Sequence, residues 1–131
     1  MANIVITGAA RGIALELVKQ HAETGDTMFA MPRDPARAGQ LNTLAEQSGG
    51  RVRIIAMDVG DDTSVRNAVG WTDGARIDIL YNVAGVTGKM EPQLESTDWA
   101  DFDDAINIML KGPLRVLNAF MPQLGAGSKI I

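Results

Sequence analysis

The sequence contains no cysteine. Disulfides, thiolate nucleophiles and cysteine-bound zinc are therefore excluded. It has one histidine, His21, so a multi-histidine metal site is excluded as well and no metal is expected. It has one tyrosine, Tyr81, and only 5% aromatic residues. No run approaches the ~20 apolar residues of a membrane span. The opening "MANIVIT" lacks a basic start followed by a long apolar region, so it does not read as a signal peptide, and a cytoplasmic location is the default expectation. Positive charge is in deficit, with 12 Lys and Arg against 16 Asp and Glu, a net charge of −4. Non-specific binding to nucleic acid or anionic membrane needs basic patches, so neither is expected as a partner.

What is present is ordinary for a globular chain: 131 residues, 46% hydrophobic and 21% charged. This suits one domain over residues 1–131 with a real core. Strand-like and helix-like segments alternate along it. "NIVIT" (Asn3–Thr7) is short, β-branched and apolar, as a strand buried on both faces is. The next segment places Ile13 and Leu17, with Ala14 and Val18, on one helix face, and Gly25 supplies the stop. "TMFAM" (Thr27–Met31) is a second strand. A helix follows from Asp34 as N-cap and Pro35 as its first residue, closed by Gly49. "VRIIAMDV" (Val52–Val59) is a third strand, followed by a helix entered through Asp61, Asp62 or Thr63. "IDILYNVAG" (Ile77–Gly85) is a fourth strand running into a loop. A long helical stretch comes next, with a kink expected near Gly112–Pro113. "SKII" (Ser128–Ile131) reads as the start of a fifth strand. Continuous apolar strands alternating with helices imply an α/β fold: a Rossmann-like, doubly wound parallel sheet of order 3-2-1-4-5, cut off after the fifth strand begins.

In such a sheet the first strand-to-helix turn can hold a pyrophosphate. Glycine lets the backbone approach, and the helix N-terminus offers free N–H groups. Gly8, Gly12 and Ala14 suit that task, and they follow a strand and open a helix. The alternative is a plain structural turn.

The spacing is not G-x-G-x-x-G. "TGAARGIA" resembles the T-G-x-x-x-G-x-G motif of the short-chain dehydrogenase/reductase family. "MDV" (Met57–Val59) resembles the Asp-Val of that family that contacts adenine, and "YNVAG" (Tyr81–Gly85) resembles its N-N-A-G. "INIMLKGPLRVLNAFMPQL" resembles the stretch that carries its helix asparagine, which falls here on Asn107. "RDPARAGQL" and "NIMLKGPLRVLNAFMPQL" are most similar to the C-factor-like branch. Two positions depart from the pattern: Ala14 stands for the third glycine and Val83 for an asparagine. The resemblance implies a nicotinamide dinucleotide as cofactor, hydride transfer to or from a small carbonyl or alcohol, and cofactor contacts from Gly8, Ala10, Arg11, Gly12, Ile13, Asp58, Val59, Asn82, Ala84 and Gly85. Asp58 could instead only end a strand, and Asn82, Ala84 and Gly85 could serve only strand packing.

A carboxylate ending the second strand would bind a ribose 2′-hydroxyl and repel a 2′-phosphate; a basic residue favours the phosphate. Here the strand ends "MPRD". Pro32 stands where an NAD-type carboxylate would be, Arg33 follows, and Arg11 lies in the glycine turn. The two guanidinium groups favour NADP, with NAD as the alternative through Asp34, which has a competing task as a helix cap. The alternative for the arginines is a solvated surface. His21, in mid-helix, is expected at the surface.

The family resemblance further implies a serine and a Tyr-x-x-x-Lys for proton transfer. The 131 residues contain no such pair: four residues after Tyr81 stands Gly85. Of that catalytic set only Asn107 is present, where it would hold a water by bending the helix. Three readings stay open: a partial chain of an NADP-dependent oxidoreductase, a nucleotide- or partner-sensing module, or a structural half that pairs with another chain. Substrate is not legible, although Gly85–Gln93 could border the pocket. Ser128–Ile131 at a sheet edge, and the surplus of apolar residues Met109, Leu110, Leu114, Leu117, Phe120 and Met121, lead us to expect a homo-oligomer.

Overall fold

A computed structural model describes residues 1–86 and 96–131. Part of the Gly85–Gln93 segment therefore lies outside the described residues. Among the described residues five strands form: β1 (Asn3–Thr7), β2 (Thr27–Met31), β3 (Val52–Ile54), β4 (Ile79–Tyr81) and β5 (Lys129–Ile130). They form one parallel sheet of order β3-β2-β1-β4-β5. The order reverses between β1 and β4, where an open α/β sheet leaves a crevice for ligands. No helix among the described residues is long and apolar enough to cross a membrane.

The central strand explains the two-sided core. Side chains alternate along β1, so Ile4 and Ile6 pack with Val18, Met28 and Leu41 on one face, and Val5 packs with Phe29, Leu80, Val116 and Phe120 on the other. Helices α1 (Gly12–Glu23) and α2 (Gly39–Gln47) cover the first face. Helices α3 (Asp62–Gly70) and α5 (Gly112–Phe120) cover the second. Helix α4 (Trp99–Ile106) precedes α5, with no fully buried residue of its own.

Several boundaries differ from the sequence expectation. The buried stripe of α1 is Ala14, Val18 and Ala22, spaced by four, while Ile13 is 74% exposed and Leu17 half-buried. Small side chains let this helix approach the sheet closely, and Ile13 belongs to the first turn, beyond the sheet. Strand β3 ends at Ile54 instead of Val59, though the Ile55 and Met57 N–H groups still donate to Ala30 and Pro32 carbonyls. Strand β4 is confined to Ile79–Tyr81. The helix expected from Pro35 is split: Asp34 caps a short 3-10 turn, Pro35–Arg37, and α2 starts only at Gly39. The kink lies earlier than Gly112–Pro113, as a π turn over Asn107–Lys111. Pro113 has no N–H and its ring crowds the carbonyl of Met109; a wider turn relieves both. Of the apolar residues assigned to a surplus, Phe120 is wholly buried and Leu117 half-buried, whereas Met109, Leu110, Leu114 and Met121 are exposed.

His21 is not a free surface residue. Its Nδ1 lies 2.8 Å from Asp26 Oδ2 and its Nε2 3.2 Å from the Tyr81 hydroxyl. A carboxylate only accepts, so Nδ1 carries a proton and donates to Asp26, while Nε2 shares a hydrogen bond with the tyrosine hydroxyl. The Ala2 N–H donates to the other oxygen of Asp26 at 2.8 Å. The bonds from Ala2 and His21 hold the Asp26 carboxyl below the usual carboxylate range. A lowered folded-state pKa stabilises the fold above the unfolded-state value, and the contribution is lost as pH falls through the folded value. The expected result is that Asp26→Asn lowers stability by ~1–2 kcal/mol at pH 7, and that the gap to wild type closes below about pH 4. Urea unfolding at stepped pH measures it; a gap that does not begin to narrow as the pH is taken below about 4 would contradict the assignment.

Candidate functional site

A cleft of about 770 Å³ opens at the carboxyl ends of the central strands. It is lined by the turn after β1, the ends of β2 and β3, and the segment leaving β4. Ten of the eleven residues that the sequence proposed for a cofactor line it: Gly8, Ala10, Arg11, Gly12, Ile13, Arg33, Asp58, Val59, Ala84 and Gly85.

The walls are tied to one another by Thr7. Its buried hydroxyl accepts hydrogen bonds from the Val83 N–H at 3.0 Å and the Ala84 N–H at 2.9 Å. This draws the chain leaving β4 against the turn leaving β1. Gly8, at φ +67°, is the consequence: a Cβ there would stand 2.8 Å from Ala84 Cα. Gly12 is different. It too has positive φ, +62°, but a Cβ on it would meet nothing within 4 Å. The first glycine serves packing between two backbones, and the second keeps the cleft floor open.

The N-terminus of α1 is bare. Its N-cap is Arg11, in extended backbone, with no side-chain cap and no acidic residue in the first turn. Free N–H groups and the positive end of the helix dipole therefore face the cleft. Three arginines line the same cleft: Arg11, Arg33 and Arg37. Among the described residues none of the three pairs with a carboxylate. Arg37, which ends the 3-10 turn that Asp34 caps, is a charged lining residue that sequence reasoning missed; Arg33 precedes that turn, so no helical spacing paired the two. Asp34 also lines the cleft, and its carboxylate accepts from the Ala36 N–H at 3.1 Å as a cap.

On the β3 side, Asp58 Oδ1 accepts from the Gly60 N–H at 2.8 Å, and the Asp58 N–H donates to Ser64 Oγ at 2.8 Å. Val59 is buried beside it. Met57, Val86 and Ile108 supply apolar lining that was not proposed for the cofactor. Asn82 does not line the cleft; its N–H donates to the Ile131 carbonyl at 2.7 Å. Asn107 opens the π turn, and its Nδ2 donates to the Gly60 carbonyl at 3.0 Å. Tyr81 is engaged with His21 and is not a cleft residue. No group of three or more His, Cys, Asp or Glu among the described residues could hold a metal.

Comparison with known proteins agrees with this geometry. The family model for short chain dehydrogenase matches residues 2–131. Sulfoacetaldehyde reductase 2 of Chromohalobacter salexigens is 30% identical over 135 residues, covering 98% of this chain and 52% of that protein. Among solved structures, a carbonyl reductase from Pseudomonas aeruginosa PAO1 superposes with a TM-score of 0.89 at 26% identity, covering 99% of this chain and 60% of that one. The NADPH-bound carbonyl reductase from chicken fatty liver gives 0.84 at 26% identity, over 94% of this chain and 51% of that one. The chain spans about half the length of the curated relatives it matches. It belongs to the short-chain dehydrogenase family.

Proposed function

We propose that these residues form the NADP-binding part of an oxidoreductase that moves hydride between NADPH and a carbonyl or alcohol. The observation that carries the reading is the joining of a bare helix N-terminus and three arginines in one cleft. A pyrophosphate fits the N–H groups of α1 above Gly12, where no side chain intrudes. A 2′-phosphate fits the guanidinium groups of Arg33 and Arg37, with Arg11 beside the turn. Asp58 and Val59 suit the adenine side, and Ala84 and Gly85 let the cofactor pass close to the chain leaving β4. The NADPH bound by the chicken carbonyl reductase supports the same choice. Bound NADPH would supply the hydride.

The proton is a separate matter. Tyr81 is held by His21 outside the cleft, and the 131 residues contain no Tyr-x-x-x-Lys. These residues therefore hold and orient a cofactor and do not supply the general acid. The 131-residue polypeptide is expected to bind NADPH more tightly than NADH and to reduce no carbonyl substrate. Titration calorimetry with both nucleotides tests the reading. Failure of either to bind at millimolar concentration, or tighter binding of NADH, would overturn it. A cytoplasmic setting, where NADPH is available, belongs to the same reading.

Self-association belongs to it too. Exposed Met109, Leu110, Leu114 and Met121 lie on the α4–α5 stretch. Burying apolar area contributes about 25 cal/mol per Å², more than a screened net charge of −4 opposes. A dimer or larger assembly is expected in sedimentation equilibrium; a monomer at tens of micromolar would contradict it.

A further inference from the structure

Arg115 lies on α5, outside the cleft, with its side chain only 19% exposed. Its guanidinium reaches three acceptors. Nη1 donates to the Val59 carbonyl at 2.6 Å, Nη2 to Asn107 Oδ1 at 3.0 Å, and Nε to the Asp62 carboxylate. Because Asn107 Oδ1 faces a donor, its Nδ2 must turn the other way, and it donates to the Gly60 carbonyl at 3.0 Å. The Gly60 N–H in turn donates to Asp58 Oδ1 at 2.8 Å. A Cβ on Gly60 would come within 3.0 Å of Asn107 Nδ2 and 3.1 Å of Asp58 Oδ1, so the three residues are in close contact.

This is a chain of polarised bonds running from a helix outside the cleft to two residues that line it, Asp58 and Val59. We propose that Arg115 is a positioning residue for the cofactor cleft: it holds the Val59 carbonyl and the Asn107 amide, and through Gly60 it fixes the Asp58 carboxylate toward the adenosine half of the cofactor. The proposal rests on the NADP reading above. It also explains why an arginine stands there. The guanidinium is a rigid fork that serves three acceptors at once, whereas a lysine ammonium is a point charge on a flexible stem. Asn107 acquires a task that needs no catalytic partner: it relays the orientation set by Arg115.

The test compares Arg115→Lys and Arg115→Met with the wild-type chain, using 2′,5′-ADP as the probe of the adenosine end and inorganic pyrophosphate as the probe of the glycine turn. Amide hydrogen exchange follows Gly60 and, as controls, Val5 and Phe29 in the central strands. Both variants are expected to bind 2′,5′-ADP about tenfold more weakly, the effect of one misplaced charge-assisted bond. Pyrophosphate binding should stay within about twofold, and Gly60 should lose protection while Val5 and Phe29 keep theirs. Unchanged 2′,5′-ADP affinity overturns the proposal, whether or not Gly60 loses protection. Equal weakening of both probes overturns it as well, by showing a general loss of the cleft. If the control amides also lose protection, Asn107→Asp decides: it keeps an acceptor for Arg115 and removes the donor to Gly60, so the same selective loss is expected and unchanged affinity overturns the proposal. A wild-type chain that binds neither probe overturns the NADP reading itself, and this proposal with it.

Discussion

Gly8→Ala should destabilise the fold by about 2–4 kcal/mol, the sum of a forced contact and a positive φ. The added Cβ would lie 2.8 Å from Ala84 Cα, and neither backbone can yield easily. One is held by the Gly8 N–H bond to the Met31 carbonyl at 2.9 Å, the other by the two N–H bonds to Thr7. Gly12→Ala should cost only the ~1–2 kcal/mol of an L-residue at positive φ, because its Cβ would enter open space. Binding should rank the two glycines differently. Gly12→Val would fill the floor of the cleft and lower NADPH affinity on the order of 100-fold, since several charge-assisted N–H bonds would be lost together. Thermal melts and calorimetry separate the two effects. Equal melting points for the two alanine variants would show that the approach of Gly8 to Ala84 is not rigid. Undiminished NADPH binding by Gly12→Val would remove the glycine turn from the cofactor site.

Reversing charge at the end of β2 should have the second large effect. Arg33→Asp should weaken NADPH about tenfold, and Arg33→Asp with Arg37→Asp about 100-fold, at low ionic strength. Each reversal changes the interaction with a 2′-phosphate by roughly 1–2 kcal/mol at a solvent-exposed site. NADH carries no 2′-phosphate and should change by less than about threefold. The loss should shrink as salt screens the site. Arg33 is exposed, so its replacement should not disturb the core. Asp34 is not expected to take over NAD selectivity, because its carboxylate already accepts the Ala36 N–H. Equal loss of both nucleotides would mean that the arginines act through the fold and not through the phosphate.

The sequence by itself determined the order of strands and helices, the parallel doubly wound sheet, and the position of the cleft. The physical reason is that these depend on local patterns. A short β-branched run such as Ile4–Ile6, closed by Thr7 and Gly8, favours a strand buried on both faces, and a glycine at the strand-to-helix turn suits a backbone that turns at positive φ. Gly8 and Gly12 were legible for that reason, and Arg33 and Asp58 from their places after the second and third strands, with the family resemblance for Asp58; all four line the cleft. Tertiary structure decided what depends on contacts between distant segments. Which face of α1 is buried followed from how closely the helix approaches the sheet, so Ala14 went inside and Ile13 outside. The burial of Phe120, the bond from Tyr81 to His21 across 60 positions, and the reach of Arg115 to Val59 across 56 have no local signature. The two glycines had the same appearance in the motif, and only the presence of Ala84 beside one and empty space beside the other gave them different tasks.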